Sequence, residues 1–76
     1  MIEKIKQSLL ASGLLSVPDD PTAPLSEYGL DSLMMVMFVL DLQTKFSMTV
    51  PASEVNESNL RDLGSIERLL KRLGAK

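Results

Sequence analysis

Ser32 is the residue of this sequence best placed to take part in a reaction, because its hydroxyl lies where a turn ends and an apolar helix begins. It lies within Tyr-Gly-Leu-Asp-Ser-Leu at positions 28–33, and the most apolar stretch of the chain, residues 33–42, follows directly. Gly29 tolerates backbone angles that other residues resist, and Asp31 can accept hydrogen bonds from the free N–H groups of a helix start. The positive end of the helix dipole favours a phosphate there. The spacing therefore predicts an exposed hydroxyl beside an anion-binding helix start.

Two interpretations of this segment are open. Asp31 and Ser32 can simply cap the helix, as most Asp-Ser pairs before apolar runs do. However, Gly-Leu-Asp-Ser-Leu at positions 29–33, followed by an apolar helix near the middle of the 76-residue chain, resembles the attachment motif of the acyl carrier protein family. One helical pattern precedes the motif and two follow it, so the resemblance covers nearly the whole length.

The resemblance implies a carrier of covalent 4′-phosphopantetheine that is not itself an enzyme. By that resemblance Ser32 is the attachment residue, flanked at the cofactor site by Asp31 and Leu33, and the thiol of the arm holds an acyl or aminoacyl group as a thioester. A phosphopantetheinyl transferase would add the arm from coenzyme A, so Ser32 needs no internal base. The other implied partners are an acyl- or aminoacyl-loading enzyme and downstream synthases, transferases or tailoring enzymes.

Composition excludes several classes of protein. The chain fits a single domain, residues 1–76, with a modest core, and its 45% hydrophobic and 24% charged residues are typical of a soluble globular protein. The absence of Cys and His excludes a disulfide framework, a Cys or His zinc site, a cysteine nucleophile and a Ser-His pair. We therefore predict no catalytic residue and no metal site. The N-terminus lacks the long apolar stretch of a signal peptide, which predicts a cytoplasmic protein.

Charge is unevenly distributed along the chain. Residues 19–62 hold eight acids and two bases, whereas the two ends together hold two acids and six bases. The motif thus lies in an acidic region, which repels nucleic-acid phosphates and attracts basic partner surfaces. The predicted helix at residues 32–46 has one Lys and one Asp, unlike a basic recognition helix. We predict no nucleic-acid partner, no membrane partner and a monomeric protein.

The apolar spacing predicts an all-α fold, a small four-helix bundle of three main helices plus one short helix. The main helices are predicted at residues 2–12, 32–46 and about 64–74, and the short one at residues 58–62. Prolines at 18, 21 and 24 predict a long loop between the first and second helices. In the carrier family such a loop crosses the bundle and delivers the serine. Four of its residues are predicted to pin it to the core: Leu14, Leu15, Val17 and Leu25.

The second helix carries two apolar stripes, and one small core cannot easily cover both. The stripe assigned to the core is Met35, Phe38, Val39, Leu42 and Phe46. The stripe that starts beside Ser32 is predicted to dock partner enzymes: Leu33, Val36, Met37 and Leu40. The alternative is that this second stripe packs beneath the first loop, because large exposed apolar patches are uncommon on monomers.

Two functions stay open at this point. The first is an acyl carrier in natural-product biosynthesis, because Met34 and Met37 stand where fatty-acid carriers show acidic residues, and the motif more closely resembles that of discrete polyketide or nonribosomal-peptide carriers. The alternative is an unmodified small helical protein-interaction or regulatory domain, in which residues 29–33 only cap a helix. A mass measurement after treatment with coenzyme A and a transferase separates the two.

Overall fold

Three α-helices surround the core in the computed structural model, which describes residues 1–75. They are α1 (Ile2–Ala11), α2 (Ser32–Phe46) and α3 (Leu63–Arg72), and short 3₁₀ turns occur at Leu25–Tyr28 and Ala52–Glu54. No strand occurs within residues 1–75, so the predicted all-α class is confirmed. In that same part of the chain, no helix combines the length and apolarity needed to cross a bilayer.

The short helix predicted at residues 58–62 is reduced to a single turn organised by Asn56. The side-chain oxygen of Asn56 accepts a hydrogen bond from the Asn59 N–H at 2.9 Å, and its carbonyl accepts one from the Leu60 N–H at 3.1 Å. The Asn59 amide group donates in turn to the carbonyl and carboxylate of Glu54, both at 2.9 Å. Such local side-chain bonds compete with helix continuation. The described chain therefore has three α-helices and two 3₁₀ turns in place of four helices.

The core lies between the inner faces of the three helices and the first loop. Of the stripe on α2 assigned to the core, Phe38, Val39 and Leu42 are buried, whereas Met35 and Phe46 are only partly buried. The Lys4 ammonium lies 5.4 Å from the centre of the Phe46 ring, at the edge of the core. The remaining buried apolar residues are Ile5, Leu9, Leu14, Leu25, Leu30, Val50, Leu60, Leu63, Ile66, Leu69 and Leu70.

The loop between α1 and α2 is attached to the core by some of the predicted residues. Leu14 and Leu25 are buried and Val17 is partly buried, but Leu15 is 99% exposed, so the prediction for Leu15 is wrong. Leu14 directly follows Gly13, whose φ of 118° turns the chain at the end of α1. This turn directs Leu14 inward and leaves the side chain of its neighbour in solvent.

Two backbone hydrogen bonds tie the same loop to the start of α3. The Leu25 N–H donates to the Arg61 carbonyl at 2.8 Å, and the Gly64 N–H donates to the Pro21 carbonyl at 3.0 Å. A Cβ atom at position 64 would lie 3.3 Å from the Pro21 carbonyl oxygen, so this close approach favours glycine. The loop is thereby held against the chain segment that leads into α3.

Asp62 caps α3, which begins at Leu63, slightly earlier than predicted. Its carboxylate accepts a hydrogen bond from the Ser65 N–H at 2.7 Å, and the residue is largely buried. We expect Asp62→Ala to lower the free energy of unfolding by about 1 kcal/mol, because the first turn of α3 loses its acceptor. Urea denaturation midpoints measure this loss. Asp62→Asn keeps an acceptor and is the control; a loss as large as that of Asp62→Ala would contradict a capping role.

Candidate functional site

The chain that leads to Ser32 is fixed by a tight turn. The 3₁₀ turn Leu25–Tyr28 ends at Gly29, whose φ is 98°. The Gly29 N–H donates to the Ser26 carbonyl at 3.3 Å, and the Leu30 N–H donates to the Leu25 carbonyl at 3.2 Å. A Cβ at position 29 would meet no atom within 4 Å, so the left-handed backbone, and not crowding, is the reason for glycine. Leu30 is buried and anchors the turn directly before the start of α2.

Asp31 caps α2, as its position in the sequence predicts. Its backbone is extended, its carboxylate accepts from the Met34 N–H at 2.8 Å, and its carbonyl accepts from the Met35 N–H at 2.9 Å. The N–H groups of Ser32 and Leu33 have no hydrogen-bond partner among residues 1–75. Unpaired N–H groups at a helix start, together with the helix dipole, create a positive potential. The first turn of α2 therefore attracts an anion to the position beside it.

Ser32 is the first residue of α2 and is exposed to solvent. Within the described chain, no residue forms a hydrogen bond with its hydroxyl, and no cluster of His, Cys, Asp or Glu is arranged to hold a metal ion. Because the sequence has no His, no imidazole is available to deprotonate the hydroxyl. The hydroxyl is thus accessible but not activated, which suits a group that another protein modifies.

A groove of about 600 Å³ opens beside Ser32. The loop before α2 and the turn after the second 3₁₀ element form its two sides, and the hydrogen bond from Leu25 to Arg61 holds the sides together. Its lining is Pro24, Ser26, Leu30, Asp31, Ser32, Met35, Glu57, Ser58, Leu60 and Arg61. The groove therefore presents both charged and apolar groups beside the Ser32 hydroxyl.

Sequence reasoning missed Glu57, Ser58 and Arg61 as neighbours of Ser32. The missed residues belong to the turn that Asn56 organises, a segment partly predicted as a short helix. Their position beside Ser32 depends on the backbone hydrogen bond between Leu25 and Arg61, which no local pattern reveals. The excess of acids over bases in this region was the one available signal, because it made Arg61 an unusual residue there.

The outer stripe of α2 is exposed. The exposed fractions are 70% for Leu33, 51% for Val36, 48% for Met37 and 58% for Leu40. These values exclude the alternative in which the first loop covers this stripe. We call these four residues the outer apolar face; its use in docking stays a prediction.

Asp41 lies on α2 but is not a free charge for docking. Its carboxylate forms an ion pair with Lys45 at 2.6 Å, and both side chains are partly buried. The hydrogen bond from Lys45 holds the pKa of Asp41 below its usual range. The carboxylate is therefore ionised at neutral pH and already engaged within its own helix.

Comparison with known protein sequences matches the chain to one family and to two named relatives. A family described as "Phosphopantetheine attachment site" matches residues 8–70. Aminoacyl carrier protein 1 of Bradyrhizobium diazoefficiens is 30% identical over 69 residues, which cover 91% of this chain and 77% of that protein. Aminoacyl carrier protein 2 of the same organism is 29% identical over 72 residues, which cover 93% and 81%.

A solved structure is similar over most of its length. It is a chain from the crystal structure of the Bradyrhizobium japonicum glycine:carrier protein ligase complexed with glycylated carrier protein. The match has a TM-score of 0.69 and 31% sequence identity, and it covers 90% of both chains. The similarity therefore extends over nine-tenths of the helical domain.

Proposed function

The chain belongs to the acyl carrier protein family, whose cofactor is covalently attached phosphopantetheine, and from that membership we propose that Ser32 bears the cofactor. The observation that supports this proposal most directly is the geometry of Ser32: an exposed and unbonded hydroxyl at the first position of α2. In this proposal the protein is a carrier, and other enzymes use it as a substrate.

The residues around Ser32 fit a phosphate-linked arm. The N–H groups of Ser32 and Leu33 have no partner in the described chain, and they open the helix at the position where the phosphate would be attached. Asp31 uses its carboxylate to fix the first turn, so that these two donors keep their direction. When bound, the arm supplies a thiol that holds an acyl group as a thioester. The transferase that adds the arm also has to deprotonate Ser32, since no described residue forms a hydrogen bond with its hydroxyl.

The proposed cargo is an aminoacyl group. Two relatives are named aminoacyl carrier proteins, and the structural match is to a complex of a glycine ligase with a glycylated carrier. These names support a ligase of that kind as the loading enzyme, in addition to a phosphopantetheinyl transferase and downstream enzymes. Service in polyketide or nonribosomal-peptide biosynthesis and a cytoplasmic location stay predictions from the sequence.

The outer apolar face is the proposed contact for the loading ligase. It begins with Leu33, directly after Ser32, and continues along α2 to Leu40. Burial of a Val, Leu or Met side chain contributes about 1.5 to 3 kcal/mol, whereas an exposed ion pair contributes roughly 0 to 1 kcal/mol. Apolar contact is therefore the larger contribution to docking.

The test is glycine loading of the holo carrier by the Bradyrhizobium japonicum ligase. We expect Met37→Glu to raise the KM for the carrier about tenfold or more, because the lost apolar contact corresponds to at least about 1.4 kcal/mol. Leu15→Glu is the matched control, since it places the same charge at an exposed leucine of the first loop. High salt should weaken loading only modestly, because salt screens charges but not apolar contact.

Two results would contradict this account. If the wild-type holo carrier gains no glycyl group while the ligase charges its own carrier in parallel, the proposed loading enzyme is wrong. If salt weakens loading steeply and Asp41→Asn is more damaging than Met37→Glu, docking is governed by acidic residues.

A further inference from the structure

Arg61 is an unpaired cation in the groove beside Ser32. Its side chain is exposed, and no ion pair or side-chain hydrogen bond joins it to another described residue. The other bases of residues 1–75 all have partners: Lys6 with Asp19, Lys45 with Asp41, Lys71 with Glu67, Arg72 with Glu54, Arg68 with the Ser65 hydroxyl, and Lys4 with the Phe46 ring. Arg61 thus differs from the other bases because its charged group has no partner and is free to bind a ligand.

The backbone of Arg61 is held firmly although its side chain is free. Its carbonyl accepts the 2.8 Å hydrogen bond from Leu25, and its neighbours Leu60 and Asp62 are buried, Asp62 as the cap of α3. Because this backbone is already ordered, only the Arg61 side chain loses conformational freedom when the guanidinium binds a ligand in the groove.

The charges in the groove favour the binding of a phosphate by Arg61. Besides Arg61, the groove contains the carboxylates of Asp31 and Glu57. Of the two bases among residues 19–62, Lys45 is already paired with Asp41. A phosphate attached to Ser32 would add negative charge beside two carboxylates, and Arg61 is the cation that lines the same groove. The planar guanidinium fork also binds phosphate oxygens in a bidentate manner.

We propose that Arg61 binds the phosphate of the arm carried by Ser32 and thereby holds the first part of the arm in this groove. The proposal rests on the proposed function, because it requires the arm to be on Ser32. The holo carrier then has a docked arm at rest, and a partner enzyme has to replace the contact with Arg61 to draw the arm out.

The test uses ³¹P NMR of the holo carrier, together with amide shift differences between the apo and holo forms. For the wild type, we expect the phosphorus resonance to move as salt is raised to about 1 M, where the Debye length is only about 3 Å. We expect Arg61→Gln to show the high-salt position already at low salt and to lose the holo-specific shifts of Ser58 and Leu60. Arg68→Gln, an exposed arginine outside this groove, is the control and should behave as wild type.

Two further variants sharpen the test. Arg61→Lys keeps the charge but loses the fork, so part of the salt-dependent shift should remain. Glu57→Gln removes a repelling carboxylate, so the docked shift should persist to higher salt. Identical phosphorus shifts in wild type and Arg61→Gln would overturn the proposal. Failure of the proposed function is seen separately and earlier, as a chain that gains no phosphopantetheine mass.

Discussion

Ser32→Ala is expected to gain no phosphopantetheine when it is incubated with coenzyme A and a broad-specificity transferase, whereas the wild-type chain gains one. The reason is positional: Ser32 has an exposed hydroxyl at the first position of α2, beside two free N–H groups. Ser8 and Ser12, by contrast, are buried in or next to α1. Intact-mass measurement of the two proteins gives the answer directly.

Ser58→Ala is the matched control for this experiment. Ser58 is exposed and lines the same groove, but it lies in a turn and not at a helix start. It should be modified as the wild type is. Equal modification of Ser32→Ala and wild type would place the arm on another residue. If neither protein is modified while a known carrier in the same tube is, the chain is better described as an unmodified interaction domain.

Phe38→Ala is expected to lower the free energy of unfolding by about 3 to 5 kcal/mol. Phe38 is 0% exposed and belongs to the largest fully buried side chains, so its truncation leaves a cavity in the centre of the core. A domain of this kind has a total stability of about 5 to 15 kcal/mol, so the loss is a large share. Chemical denaturation at fixed temperature measures it.

Two other positions on α2 serve as references for Phe38. Val36→Lys should change stability by no more than about 0.5 kcal/mol, because Val36 belongs to the outer apolar face. Phe46→Ala should cost less than Phe38→Ala, since the Phe46 ring is only partly buried. A loss for Val36→Lys as large as that for Phe38→Ala would mean that the outer face packs against something within the domain.

The start of α2 was predictable because it depends on neighbouring residues. Gly29 supplies the left-handed backbone and Asp31 supplies the cap, each through bonds that span only a few positions. The division of α2 into an inner and an outer face was also predictable, since helical spacing separates Phe38 from Val36. The prediction was less accurate at Phe46, because spacing does not show how far the core extends toward a helix end.

The groove could not be predicted from the sequence. It depends on hydrogen bonds from Leu25 to Arg61 and from Gly64 to Pro21, which join segments far apart in the chain. Asp62 was assigned to a short helix and is instead the cap of α3. A lone Asp fits either role, and only the turn that Asn56 organises decides between them.

The two hydrogen bonds between the first loop and the start of α3 also bear on the timing of modification during synthesis. A ribosome-bound chain that ends before residue 61 contains Ser32 and its turn, but it lacks the carbonyl that receives the Leu25 N–H and the glycine that reaches Pro21. The nascent chain therefore lacks the hydrogen bonds that hold the two sides of the groove together. The groove beside Ser32 is therefore closed only after residues 61–64, at the start of α3, have been synthesised.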